Sequence, residues 1–145
     1  MKKRIRMFIG MLAVLLVAQS AVCFAAAHNV EQNIKGKTGC GVVGGSFGIM
    51  NAYYYSNTAK AELQSVSAAQ RYARVSVTEY KNGSPTTNKD TVAKVLSNGQ
   101  KVETDTVGRS PNNTIYRYAY NGTMYNSIST ATGVAETYYF NGYQQ

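Results

Sequence analysis

Histidine is almost absent from this sequence and carboxylates seldom cluster, which limits the chemistry that the chain can carry. The 145 residues include a single histidine, His28. Catalytic triads and metal sites need histidine, or grouped cysteines and carboxylates. Asp90, Glu103 and Asp105 form the one grouping of acids, and nothing in their spacing demands the paired carboxylates of a glycosidase. The sequence therefore predicts a protein that is not an enzyme and that holds no metal or cofactor.

Runs of basic residues are missing beyond the first few positions. The whole sequence carries a formal charge of +8, but Lys2, Lys3, Arg4 and Arg6 lie in its first segment. The remaining charge, about +4, is scattered and is compatible with weak attraction to an anionic envelope polymer. Because there is neither a basic stripe nor a recognition motif, binding to nucleic acid is not expected.

A long apolar run occurs once, at the N-terminus. A basic start and an apolar stretch are followed by three alanines that end at Ala27. This order is typical of a secretory signal peptide. We predict that residues 1–27 are cleaved off before His28 and that the rest is secreted without a transmembrane anchor.

Cysteine is too scarce for internal disulfides. Cys23 would leave with the signal peptide, so Cys40 would be the only cysteine of the mature chain. An exported protein with one cysteine cannot close an internal disulfide. Two states of Cys40 stay open, a free thiol and an intermolecular disulfide that links a dimer. In either case, stability has to come from packing and strand pairing.

The mature chain is predicted to have an N-terminal arm followed by one β domain. Residues 28–45 are polar and then glycine-rich, without sustained periodicity, which is typical of a partly mobile arm. Residues 46–145 contain several short runs that alternate apolar and polar residues, most clearly around Val75. About seven such strands predict an all-β domain, an antiparallel β-sandwich or a small barrel. Residues 58–67 fit either a strand or a short helix.

Asn-Gly pairs predict β-hairpins at two places. A two-residue type I′ turn needs positive φ at both central residues, and Asn-Gly adopts this at low cost. The pair Asn98-Gly99 lies between two alternating runs. A hairpin there places Lys94 opposite Glu103 as a favourable cross-strand pair.

The second pair, Asn121-Gly122, divides a tyrosine-rich stretch. A hairpin there places Tyr118 opposite Tyr125 and puts Tyr116 on the same face. Tyrosine combines a flat apolar ring with a polar tip, so such a face either fills a core or binds a ligand. Burial behind another layer is favoured, because the chain has no disulfide to substitute for a core.

Several short segments resemble small secreted bacteriocins of the lactococcin type. They are residues 52–57 (AYYYSN), 89–91 (KDT) and 106–109 (TVGR), alongside a basic signal peptide and a mature chain rich in tyrosine and asparagine. The resemblance implies a β-sandwich that acts on the envelope of competing bacteria, and it transfers no functional residue. The chain differs from that family in its lack of tryptophan, its greater length and the separations of these segments.

The function that these features favour is binding outside the cell. The sequence predicts a secreted, non-enzymatic protein that recognises a cell-wall polymer, a glycan or another envelope component. The alternative is a secreted bacteriocin or toxin-like antimicrobial protein. Tyr116, Tyr118 and Tyr125 are the candidate ligand surface if the tyrosine face is not core.

Overall fold

The protein is all-β, as predicted, and is built from two sheets. The computed structural model describes residues 26–110 and 116–144. The strands are β1 (Ala26–Asn33), β2 (Gly39–Gly44), β3 (Gly48–Tyr54), β4 (Thr58–Ser65), β5 (Arg71–Lys81), β6 (Ser84–Leu96), β7 (Lys101–Glu103), β8 (Val107–Gly108), β9 (Tyr116–Tyr125) and β10 (Val134–Tyr143), with one 3-10 turn (Thr130–Thr132) before β10. The described residues thus form ten strands, where about seven were predicted.

Each sheet has five strands. Sheet A has the order β1-β10-β9-β5-β6, and sheet B has the order β2-β3-β4-β7, with β8 also paired to β4. All neighbours are antiparallel except β1 and β10, which are parallel. The first and last strands of the described chain are therefore side by side.

The hydrophobic core lies between the two sheets, in a sandwich-like arrangement. Successive residues of a strand point to opposite faces, so each sheet turns one set of side chains inward. Met50 and Leu63 of sheet B are fully buried with Val75, Met124 and Phe140 of sheet A. Burying such side chains contributes about 1.5–3 kcal/mol each, and this stabilises described residues whose cysteine, Cys40, is free.

The segment predicted as an arm supplies a strand to each sheet. Within residues 28–45, β1 pairs with β10 and β2 pairs with β3. Ile34, just after β1, is buried, and its N–H donates to the carbonyl of Tyr143 over 2.8 Å. The sheets therefore begin well before residue 46.

Residues 58–67, which fitted strand or helix, contain strand β4. Ala59, Ala61 and Leu63 point inward and are fully buried, while β4 pairs with β3 on one side and with β7 and β8 on the other. A strand at this central position of sheet B also satisfies the backbone of its neighbours β3, β7 and β8, which a helix would leave unpaired.

Among the described residues, a type I′ hairpin turn lies at Asn82-Gly83. Asn82 has φ 52° and Gly83 has φ 78°, and the turn joins Lys81 of β5 to Ser84 of β6. Pro85 then falls within β6, which is tolerated because β6 is the edge strand of sheet A.

The hairpin predicted at Asn98-Gly99 is wrong. The N–H of Gln100 does donate to the carbonyl of Ser97 over 3.0 Å, so the chain turns there. The turn crosses between the sheets, because β6 pairs with β5 in sheet A and β7 pairs with β4 in sheet B. Lys94 therefore does not face Glu103, whose carboxylate lies 3.1 Å from Lys60 Nζ instead.

The hairpin predicted at Asn121-Gly122 is also wrong, since β9 runs through both residues without a turn. Gly122 pairs with Tyr138 of β10 on one side and with Val75 of β5 on the other. A Cβ at Gly122 would lie 3.1 Å from the sulfur of Met50 and 3.2 Å from the Tyr138 ring. Large neighbours thus fill the space above this glycine and make it part of the core.

The predicted signal peptide lies largely outside the described residues. Ala26 and Ala27, at its end, belong to β1 and pair with Glu136 and Thr137. Among the described residues, no helix has the length and apolar character needed to cross a membrane.

Candidate functional site

The tyrosines singled out in the sequence do not form one surface. Tyr118 is fully buried and packs near Tyr120 with ring centroids 6.4 Å apart. Tyr125 lies on the opposite face of β9, where its ring meets Tyr72 edge-on at 5.5 Å. Tyr116 is the first residue of β9. Tyr118 therefore belongs to the core, and the predicted pairing of Tyr118 with Tyr125 does not occur, because β9 is a single strand.

Of the three grouped acids, the structure brings two together. The backbone N–H of Asp105 donates to Asp90 Oδ2 over 2.7 Å, at a shallow polar depression of about 300 Å³ between β6 and the segment that leads into β8. Glu103 lies elsewhere, on the outer side of sheet B beside Lys60. The described residues contain no group of three or more His, Cys, Asp or Glu side chains that could hold a metal ion.

Glu136 is a fully buried carboxylate that the sequence analysis did not single out. It accepts hydrogen bonds from the backbone N–H groups of Ser46 at 2.7 Å and Phe47 at 2.8 Å, and from the hydroxyl of Tyr138. His28 Nε2 lies 3.1 Å from Glu136 Oε1, and its ring stacks on Tyr138. Four donors from three parts of the chain therefore converge on one carboxylate.

These contacts set the charge of the cluster. Burial disfavours the ionised form of Glu136, yet the hydrogen bonds from Tyr138, Phe47, Ser46 and His28 outweigh it and hold its pKa below the usual value. Burial, and then the neighbouring carboxylate, raise the pKa of the Tyr138 hydroxyl. The cluster therefore holds an ionised carboxylate beside a neutral phenol at physiological pH.

Glu79 is a second buried carboxylate with a full set of donors. Thr86 and Asn88 donate to Oε2 over 2.8 and 3.0 Å, and Ser110 donates from both its N–H and its hydroxyl. A bulge in β6 opposite Glu79 brings Thr86 and Asn88 to this position. The carboxylate thereby fastens the end of the β8 segment to sheet A.

Glu62 is the third buried carboxylate. Lys101 Nζ lies 2.7 Å from Oε2, and Asn51 donates to Oε1 over 3.0 Å. Burial opposes ionisation of Glu62, but the hydrogen bonds of Lys101 and Asn51 win and lower its pKa. The oxygens of all three carboxylates accept hydrogen bonds from groups within the protein, and these contacts stabilise the fold.

Strand alternation contained a signal for two of these carboxylates. In a strand, every second residue points to the same face. Glu79 therefore shares a face with Val75 and Val77, and Glu136 shares a face with Tyr138, which predicts that both carboxylates point inward. Their donors could not be predicted, because Ser46 and Ser110 are distant in sequence and the β6 bulge is not indicated by the alternation.

The outer face of sheet A is a candidate binding surface. It consists of the side chains of its three central strands that point away from sheet B: Tyr72, Arg74, Ser76, Thr78 and Tyr80 of β5, Arg117, Ala119, Asn121, Thr123 and Tyr125 of β9, and Thr137, Tyr139, Asn141 and Tyr143 of β10. Hydroxyls and amides dominate, and arginine supplies all the charge of this set.

The register places polar and aromatic side chains in rows across this face. Tyr139 lies opposite Asn121, which lies opposite Ser76. At one end of the face Arg117 lies over the Tyr80 ring, with its guanidinium carbon 4.3 Å from the ring centroid. The result is a surface of hydrogen-bonding groups with aromatic rings and two arginines interspersed.

One corner of the outer face is concave. A depression of about 320 Å³ is lined by Glu31, Arg117, Asn141 and Tyr143. Asn141 Nδ2 lies 3.4 Å from Glu31 Oε1, so β1 contributes a carboxylate at the rim. This corner combines a cation, an anion, an amide and a ring, which is a set of groups suited to holding a polar ligand.

Comparison with models of protein families, with curated proteins and with solved structures gives no match. The resemblance to lactococcin-type bacteriocins stays a prediction from short segments. The case for a function therefore rests on the chemistry of the described surfaces.

Proposed function

We propose that this protein is a secreted, non-enzymatic β-sandwich that binds a glycan or cell-wall polymer on the outer face of sheet A. The observation that carries the proposal is the composition of that face. Its three central strands present serine, threonine, asparagine and tyrosine in register, with arginine as the only charged residue type.

The chemistry of these groups matches a sugar. Hydroxyls and side-chain amides both donate and accept hydrogen bonds, as sugar hydroxyls do. Tyrosine rings offer flat apolar area with a polar tip and little conformational freedom to lose. Because the side chains stand on a hydrogen-bonded sheet, they are held in place before the ligand arrives, which lowers the cost of binding.

The dimensions of the face favour a long ligand. The contact of Tyr72 with Tyr125 lies at one end and that of Tyr80 with Arg117 at the other. Eight residues of strand separate Arg117 from Tyr125, or roughly 27 Å at about 3.4 Å per residue. A polymer chain covers such a distance and a single sugar does not.

Retention of the secreted protein on insoluble polysaccharides and on purified cell walls tests the proposal. Tyr139 is 39 % exposed on the outer face, and Tyr55 is 43 % exposed outside it. We expect Tyr139→Ala to weaken binding about fivefold, since an aromatic contact is worth about 1 kcal/mol, and Tyr55→Ala to leave it unchanged. Equal affinity of the two variants, or no retention on any of these materials, would rule out the outer face as the binding surface.

The salt dependence of binding distinguishes the kinds of polymer. Contacts through hydroxyls, amides and rings should survive raised salt, whereas binding to an anionic polymer through Arg74 and Arg117 should weaken steeply. Persistence of binding at high salt supports a neutral glycan. Complete loss at high salt assigns the face to an anionic polymer.

A further inference from the structure

We propose that β2 is a dimer interface, and that it pairs edge to edge and antiparallel with β2 of a second copy of this chain. The proposal concerns the opposite sheet from the outer face of sheet A and does not depend on the ligand. Its basis is that β2 differs from every other edge strand in the described part of the molecule.

The other edges carry the features by which proteins prevent strand pairing. Such features are short strands, charged side chains, proline and bulges. The edge strand β6 contains Pro85, Lys89 and Lys94 and has a bulge. The opposite edge of sheet B is divided between β7 and β8, of three and two residues. The strand β1 carries Glu31 along its edge.

The edge of β2 has none of these features. Its sequence, GCGVVG, contains no charge and no proline, and β3 is its only partner among the described residues. Val42 is 58 % exposed, the highest value among the large hydrophobic side chains of the described residues, and Cys40 is exposed beside it. A neutral, unpaired edge without proline or a bulge is a template for another strand.

The backbone of β2 fixes which residues present hydrogen-bonding groups to that strand. The N–H of Gly45 donates to the carbonyl of Gly48 over 2.9 Å and continues the ladder with β3. Hydrogen-bonded pairs alternate in an antiparallel ladder, so Cys40, Val42 and Gly44 direct their N–H and C=O groups away from β3. These are also the exposed residues of β2.

Charge and self-complementarity select a second copy in antiparallel orientation. In a parallel pair, Lys37 of the two copies would lie side by side, whereas an antiparallel pair centred on Gly41 sets Lys37 beside the neutral Gly45 of the other copy. The same register places Val42 of each copy against Cys40 of the other. One two-fold contact therefore covers the exposed valine and the exposed thiol of both copies. This is the symmetry of an isologous interface, in which each copy contributes the same surface.

The mass of the secreted protein in solution, measured with reductant over a wide range of concentration, tests the proposal. We expect a dimer that dissociates on dilution. Val42→Lys should give a monomer at concentrations where the parent is dimeric, because it places a charge on the edge. Val95→Lys, a matched change at another exposed valine on β6, should remain dimeric. A parent that is monomeric throughout, or a Val42→Lys protein that dimerises like the parent, would overturn the proposal.

Disulfide formation tests the register of the two β2 strands without introducing a charge at the edge. In the register centred on Gly41, Cys40 and position 42 of the other copy form a hydrogen-bonded pair with Cα atoms about 5.5 Å apart, within reach of a disulfide. Two copies of Cys40 form a diagonal pair about 7–8 Å apart, which is too far. A mixture of the parent with the Cys40→Ser, Val42→Cys variant should therefore oxidise to the mixed disulfide first. Faster cross-linking within either protein alone would contradict this register.

Discussion

Glu136 joins three segments of the chain through a single buried carboxylate. It accepts hydrogen bonds from the β2–β3 turn and from Tyr138 of its own strand, and it contacts His28 of β1. A Cβ at Gly45 would lie 2.5 Å from this carboxylate, so glycine there allows the turn to close over it. The carboxylate thus links three segments without a covalent bond, and Cys40, the cysteine among the described residues, is free.

We expect Glu136→Gln to lower the free energy of unfolding by about 3 kcal/mol at neutral pH, because hydrogen bonds to a charged group are stronger and an amide mismatches the two backbone donors. The pKa of Glu136 is lower in the folded protein than its ordinary value of 4.5. The stabilisation is therefore complete above about pH 4.5 and is lost as the pH falls through the folded-state pKa. Urea unfolding of parent and variant at neutral and acid pH measures both effects.

Glu31→Gln is the matched control for this prediction. Glu31 is exposed, and its one described side-chain contact is with Asn141 at 3.4 Å. Its replacement should change the unfolding midpoint little at any pH. A stability difference between parent and Glu136→Gln that stays constant as the pH falls below 4.5 would show that charge is not what makes Glu136 stabilising.

At the scale of elements, the same dipeptide has three different structures in this molecule. Asn82-Gly83 is a hairpin turn, Asn98-Gly99 turns the chain from one sheet to the other, and Asn121-Gly122 lies within β9. The local sequence offers the same low-cost turn in each case. The packing partners, which are distant in sequence, decide which option is used.

We expect Gly83→Ala to lower the free energy of unfolding by about 1 kcal/mol. A Cβ at Gly83 meets no atom within 4 Å, so the cost comes from its φ of 78°, which L-residues with a Cβ rarely adopt. Gly108 is equally open but has no positive φ, and Gly108→Ala should be neutral or slightly stabilising. Chemical denaturation of both variants measures the difference. Equal unfolding midpoints would argue against backbone strain in the Gly83→Ala variant.

Alternation of apolar and polar residues was sufficient to predict some elements and not others. It located β5, because Ala73, Val75 and Val77 do point into the core, and it located the last strand, β10. It did not predict that the chain passes from sheet A to sheet B between β6 and β7. Alternation shows which residues of a strand share a face, but it does not show to which sheet the strand belongs. The outer face of sheet A was also missed, because it is assembled from strands that become neighbours only through long-range pairing.

At the scale of the whole molecule, the first and last of the described strands, β1 and β10, lie side by side. Pairing of β1 with β10 covers the edge of sheet A beside Phe140 and Tyr138, and Val30 packs against the core. Gln32 also reaches across to the hydroxyl of Tyr54 in sheet B over 3.2 Å. β1 thus contributes both to its own sheet and to the contact between sheets.

We expect a chain that lacks residues 28–33 to lose cooperative unfolding, because the loss of the β1 ladder, of Val30 and of the His28 contact is comparable with a typical total stability of about 5–15 kcal/mol. A peptide of residues 28–33 added in solution should restore it, since the contacts of β1 with β10 and with the core are non-covalent. Thermal melts followed by circular dichroism provide the measurement. A Val30→Asp peptide is the control, and equal rescue by both peptides would contradict specific packing of β1.

The parallel pairing of β1 and β10 also determines how the protein responds to tension. Ala26 lies beside Glu136 at one end of the pair, and Asn33 lies beside Tyr143 at the other. A pull on the chain that flanks the two strands would slide them in opposite directions and load all their backbone hydrogen bonds in shear. The β5–β6 hairpin, pulled from its open end, would instead unzip one bond at a time. If one end of the chain is held and the other is pulled, β1 and β10 are the first strands to be strained. The molecule would therefore resist the pull most strongly at this pair.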